Sequence, residues 1–351
     1  LLACAEPAPV LQQVAKPQAR PVVKPPSPAV VAKPTSQKSA MLRSYLHQVE
    51  KAQLNQDLLR QDGGGDDTPF TSEMLARNFE QIALYNEYDG NFSGQGGASP
   101  LRRWDAPVRM QIIFGDSVPP SQRRSDTAKI NAFARRLARV TGHSVSIGDR
   151  PNFMVVVASE DDRVDALAQA AEEVAGVSKS SLRAMRNMRR DTYCAVAAYA
   201  AGDNPNVYTA AVAVIRSENP ELLRLSCIHE ELAQGLGLAN DSPAARPSIF
   251  NDDDEFALLT SHGVWVVLQS VAWRFDWPEG DPRFSTLGAV NAWIRAQAAR
   301  PGVKLCDTVA IDGTASADRA LFETDGEACF PDLFPGQVRQ HVYTANQVIE
   351  G

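Results

Sequence analysis

The stretch 219–241 gathers Cys227, His229, Glu230, Glu231, Gln234, Asn240 and Asp241 within two dozen residues. Asn219-Pro220-Glu221 predicts a helix start: a capping side chain, proline at the first helical position and an acid in the first turn. The helix is expected over 220–236, closing near Gly237. Leu222, Leu225, Leu232 and Leu236 form one apolar stripe. Cys227, Glu230 and Gln234 share another, spaced three and four, so Glu230 and Gln234 project from one face a turn apart. Glu230 and Glu231 are chain neighbours, roughly 100° apart around the axis, which is wrong for a facing acid/base pair. A two-histidine metal site starting at His229 would need its second histidine where Ala233 stands. His229 therefore reads as a helix histidine making a structural hydrogen bond.

Other chemistries find little support. Asn251-Asp252-Asp253-Asp254-Glu255 is densely acidic but lacks the alternating ligands and glycine of a calcium loop; it reads as a solvated loop capping a short helix at 256–259. Ser226 and Ser242 sit in no nucleophile-elbow pattern, and no phosphate-binding glycine loop is present. The net charge of −7 argues against general nucleic-acid affinity. No run of 18 apolar residues occurs, so no membrane-spanning helix is predicted.

The elements that must carry these residues read as mixed α/β. Residues 41–61 have helical apolar spacing, broken by Gly63-Gly64-Gly65. Thr71-Ser72-Glu73 opens a second helix. Strands are expected at 108–114, 153–158, 193–199 and 207–216, and helices at 127–141 and 166–175. A further helix is expected at 285–300. The boundaries follow: a tether at 1–40, a helical linker at 41–66, the main α/β domain at 67–278 and an accessory segment at 279–351.

The tether has its own character. Residues 1–40 carry five basic side chains against one acid, and eight prolines fall between Pro7 and Pro34. Such chain stays extended and polyproline-II-like, reaching on the order of 100 Å. Leu1-Leu2-Ala3-Cys4 resembles the end of a bacterial lipoprotein signal, which implies acylation of Cys4. The basic and hydrophobic parts of such a signal would lie upstream of this sequence. By resemblance to other lipoproteins, the absence of aspartate beside Cys4 points to the outer membrane. Setting Cys4 aside leaves four cysteines. The shortest loops pair Cys194 with Cys227 and Cys306 with Cys329; free buried thiols are the alternative.

From Glu230 the sequence reads E-E-L-A-Q-G-L-G-L-A-N-D. It resembles the metzincin-type zinc peptidase motif H-E-x-x-H-x-x-G-x-x-H. Glu230, Gln234 and Asn240 fall at the three ligand positions, Glu231 at the general base, Gly237 at the turn glycine and Asp241 at the terminal acid. Ser248-Ile249-Phe250 falls at the Met-turn, with Phe250 in place of methionine. The chain also resembles an uncharacterised family of bacterial zincin-like lipoproteins, catalogued as a domain of unknown function. That likeness rests on Asn78-Phe79-Glu80, Leu101-Arg102-Arg103-Trp104, 227–234, Leu236-Gly237-Leu238, Asn240-Asp241 and 247–252, and covers roughly residues 67–262.

The resemblance implies a zincin-like mixed sheet with packed helices, among them the motif helix. All three histidines are absent. A carboxylate and two amides suit a hard cation such as calcium or manganese better than zinc, and without a metal Glu231 would face water that hardly ionises. The expectation is no metal and no cofactor, with a weakly bound divalent ion as the alternative. The chain is read as a lipid-anchored periplasmic envelope protein, a pseudo-metallopeptidase that binds an envelope protein or peptide or serves as an envelope scaffold. An active hydrolase using Glu231 as general base is the alternative.

Overall fold

A computed structural model describes residues 32–62, 68, 70, 72–87, 96–99, 102–141, 143–200, 204, 206–251 and 256–260, together with the short strands Glu323–Thr324 and Glu327–Ala328. Cys4, the acids 252–255, the helix expected at 285–300, Cys306 and Cys329 lie outside the described residues.

The chain is an α/β protein, as its patterning predicts. Its elements run α1 (Gln37–Asn55), α2 (Ser72–Ala83), β1 (Tyr85–Asn86), β2 (Gly97–Ala98), β3 (Arg103–Trp104), β4 (Val108–Phe114), α3 (Pro120–Thr141), β5 (Val145–Ile147), β6 (Phe153–Ala158), α4 (Arg163–Glu173), α5 (Lys179–Arg186), β7 (Cys194–Tyr199), β8 (Val207–Tyr208), β9 (Ala210–Arg216) and α6 (Glu221–Gln234). Five strands form one sheet in the order β5-β4-β6-β9-β7. The first four are parallel. β7 runs antiparallel to β9 at the edge.

Side chains alternate across this sheet with the period of two that strand geometry imposes. Phe153, Val155 and Val157 face one layer with Ala211, Ala213 and Ile215, covered by Phe79 and Ile82 of α2, Ile130, Phe133 and Leu137 of α3, and Ile228 and Leu232 of α6. Met154, Val156 and Ala158 face the other with Val212 and Val214, covered by Leu167 and Ala170 of α4 and Leu182 and Met185 of α5. Burial on both faces explains the unbroken apolar runs of β6 and β9.

Several boundaries differ from expectation. α3 begins two turns before residue 127, because its first turns, Ser121-Gln122-Arg123-Arg124-Ser125, carry no apolar position to reveal a period. The short helix α5 and the strand β5 have no counterpart in the sequence reading. No helix forms at 256–259. Phe256 pairs as an isolated bridge with Arg60, and Ala257 packs against Leu59 and Leu223.

The expected linker is a docked element. α1 begins at Gln37, inside the stretch read as tether, and Ser36 caps it by accepting from the Ser39 N–H. Leu46 is fully buried, and Ser39 Oγ donates to Glu218 at 2.7 Å. The helix lies over the carboxyl ends of β6 and β9, where charge is concentrated and compensated. Glu160 accepts from Lys38 at 2.7 Å, Arg163 at 2.6 Å and Arg216 at 2.8 Å. Burial would raise the Glu160 carboxyl, but these three partners hold it down at about 2. Arg216 spends its remaining N–H groups on the carbonyls of Thr192, Met188 and Arg189.

Candidate functional site

α6 starts one residue later than the capping pattern predicts. Pro220 is the N-cap, and the Asn219 side chain does not cap the helix. It donates instead to the Tyr193 carbonyl at 3.1 Å and approaches Cys227 Sγ at 3.5 Å. The helix is fixed from three sides. Arg224 Nε contacts both oxygens of the buried Asp126 on α3, at 2.8 and 2.9 Å. Cys227 is disulfide-bonded to Cys194, which ties α6 to the edge strand. Trp104 Nε1 donates to the Gly235 carbonyl at 2.8 Å.

The two glycines at the end of the helix have steric reasons. A Cβ on Gly235 would strike the Phe153 ring at 2.4 Å. Gly237 has φ +133°, and a Cβ there would meet the Arg102 carbonyl at 2.9 Å. That backbone conformation favours glycine, and it turns the chain towards Asp241.

A cleft of about 870 Å³ opens between α6 and β7. Tyr193–Ala200 form one wall. Ser226, Glu230, Glu231 and Gln234 form the other, and Asp241, Glu87 and Arg102 close one end. The expected stripe holds in its second half, where Leu232 and Leu236 are fully buried in the core, and fails in its first. Leu222 and Leu225 are only half-buried, whereas Leu223, Cys227 and Glu231 face inward. Glu231 is 4 % exposed, and its Oε2 has no hydrogen-bond partner among the described residues. Burial first, then the charges of Asp241 and Glu87, push its carboxyl well above the usual carboxylate range. A raised carboxyl is also what burial gives a general base, so the shift alone does not assign Glu231 a role.

The remaining motif residues divide. Gln234 Nε2 donates to Asp241 Oδ1 at 2.8 Å, so the amide steadies an acid. Asn240, expected beside Gln234, leaves the group. Its Nδ2 donates to the Gln81 carbonyl at 2.7 Å and its N–H to the Ile82 carbonyl, stitching the loop to the end of α2. Phe250 is fully buried in the main core, and its carbonyl accepts from the Ser242 N–H. His229 is structural, as its isolation predicts. Its ring stacks on Phe133 at 4.1 Å and Nδ1 accepts from the Leu259 N–H. Burial, then the charge of Arg136, pushes it down to about 3.

These residues are a poor fit to catalytic zinc, which takes three strong imidazole, thiolate or carboxylate ligands. Cys194 Sγ and a carboxylate oxygen from each of Glu230 and Glu231 lie within 4.8 Å of one another. The disulfide, however, removes Cys194 as a thiolate, Gln234 is engaged with Asp241, and Asn240 points elsewhere. Sequence reasoning missed Glu87, an isolated acid that nothing in its surroundings marks. It also missed the inward turn of Glu231, although the spacing of four from Cys227 contains that signal.

No curated protein and no solved structure matches the chain significantly. Residues 72–268 do match a family, over more than half of the 351 residues. The matched segment contains the whole sheet, α6 and the cleft. The chain belongs to the family described as "Protein of unknown function (DUF2927)".

Proposed function

We propose that the protein is a lipid-anchored envelope protein whose zincin-like domain binds an extended peptide segment and does not hydrolyse it. The observation that carries this reading is the edge strand. The outer edge of β7 pairs with no strand among the described residues, and the cleft runs along its whole length. An edge of this kind offers main-chain hydrogen bonds to an added strand, with side-chain specificity supplied by adjacent pockets. Loss of zinc chemistry is supported by the donor set. Export is supported by the disulfide, a bond that persists in oxidising compartments, and by the Leu1–Cys4 pattern.

The test is to screen the purified full chain against short extended peptides while measuring its metal content. Peptides should bind, Ser226→Trp on the cleft wall should abolish binding, and zinc should stay below stoichiometric. Stoichiometric, tightly held zinc with peptide cleavage that Glu231→Gln abolishes would establish a hydrolase instead. Labelling with a palmitate analogue in cells tests the anchor, and label that persists in Cys4→Ser would remove it.

A further inference from the structure

The charge lining the cleft is one-sided. Glu87, Asp191, Glu230, Glu231 and Asp241 contribute five carboxyl groups, and Arg102 is the one cation among the described lining residues. Arg102 Nη1 already donates to Asn86 Oδ1 at 3.1 Å, and Asp191 is paired with Arg189 at 2.9 Å at the rim. The inner acids remain grouped. Glu230 and Glu231 approach each other and Cys194 within 4.8 Å, and Gln234 holds Asp241 on the same side. Acids cluster on many surfaces without consequence. This group differs because Glu231 is buried and its Oε2 has no donor among the described residues. A buried, unpaired carboxyl oxygen costs stability unless a partner arrives.

We propose that the inner end of the cleft is a specificity pocket for a basic side chain, lysine or arginine, carried by the bound segment and held by Glu230, Glu231 and Asp241. This rests on the peptide-binding reading above. A cationic donor would bring a hydrogen bond to Glu231 Oε2 and an opposite charge to the acid group, and charge-assisted bonds of this kind are short and strong. Lining β7 with Cys194, Val196 and Ala198 on the α6 side leaves apolar wall for the methylene stem of such a residue.

Binding is also coupled to a proton. The groups facing Glu231 are Glu230 and Gln234 on α6, the disulfide-bonded Cys194 on β7, Asp241 in the following loop, Glu87 after β1, and Arg102 before β3. Burial first, then Asp241 and Glu87, raise the Glu231 carboxyl, and an arriving cation would oppose that shift.

The experiment uses the full chain and one extended peptide in four forms, with lysine, arginine, norleucine or glutamate at the central position. A control peptide carries the lysine at its end. Fluorescence anisotropy should show the central lysine and arginine peptides binding about tenfold or more tighter than the norleucine and end-lysine peptides. Glu231→Gln and the half-exposed Glu230→Gln should each erase most of that preference. Equal binding of all forms would overturn the basic pocket while leaving the peptide cleft standing. Failure of every form to bind would overturn both. Displacement of the lysine peptide by stoichiometric Mn²⁺ would reassign the acids to a metal.

Discussion

Two carboxyl groups, Glu160 and Glu231, both end up largely out of water, and the protein treats them in opposite ways. Glu160 sits under α1 at the carboxyl end of β6, ringed by Arg163, Arg216 and Lys38. Glu231 sits on α6 beside other acids, with one oxygen unpaired. The first is ionised and held below its ordinary range. The second is pushed above it by burial and by neighbouring acids. A buried charge with full compensation fixes structure, whereas a buried carboxyl raised by its neighbours is the kind of group that clusters at functional sites. The difference marks α1 and the Glu160 network as scaffold, and it is the contrast on which the proposal of a ligand in the cleft rests.

The largest expected effect attacks the scaffold side. Glu160→Gln would leave Arg163 and Arg216, both almost fully buried, without their carboxylate. A cost of roughly 3–5 kcal/mol is expected in urea denaturation. A loss below about 1 kcal/mol would mean that the network is not holding the fold and would collapse the contrast. The same cluster predicts acid sensitivity. Its contribution is present above the ordinary carboxylate value of 4.5 and is lost as pH falls from there towards about 2.

Removing the Cys194–Cys227 bond comes next. The two cysteines are 33 residues apart, and the chain-entropy model assigns such a closure about 3–4 kcal/mol. The double variant Cys194→Ser/Cys227→Ser should lose that much stability. It should also weaken peptide binding, because β7 and α6 are the two cleft walls. Lost stability with unchanged binding would show that the disulfide serves the scaffold alone.

Gly237→Ala is a smaller change, about 1–3 kcal/mol, from the positive φ and the approach to the Arg102 carbonyl. Because Asp241 follows this turn, the variant should also shift the Glu231 titration downward as the two acids separate. Glu231→Gln has the smallest effect and the opposite sign. The proton of Glu231 favours the folded state below 4.5, and this contribution is lost as pH rises through the raised value. The amide should therefore leave thermal stability unchanged in acid and raise it in mild alkali. Destabilisation at every pH would show a carboxyl that is already satisfied.

The sequence made some of this contrast legible. Val108–Phe114 and Phe153–Ala158 are strands over the expected residues; burial on both faces writes the unbroken apolar run of the second, whereas the first keeps Arg109 and Gln111 half-buried. α6 was legible from Asn219-Pro220-Glu221 and its leucines to within one or two residues. Yet those leucines also misdirected the reading. Leu222 and Leu225 suggested an inward face that the Cys194–Cys227 bond and the Arg224–Asp126 pair rotate towards Glu231. Buried charge is hard to see in sequence, since Glu and Arg ordinarily mark the surface. Neither the Glu160 network nor the inward Glu231 could be read without the contacts across 122 and 56 residues that hold the first. The likeness of 230–241 to a zinc motif singled out Glu230, Glu231 and Gln234, which line the cleft. It misplaced Asn240, whose amide is drawn off by the free carbonyls that end α2.

The most direct test of the contrast is the titration of Glu231 itself. Carboxyl-carbon NMR on the full chain, with the resonance assigned through Glu231→Gln, would follow its ionisation. The account predicts a midpoint well above 4.5 in the free protein, moving down when the central-lysine peptide is bound. A midpoint at or below 4.5 in the free protein would contradict it.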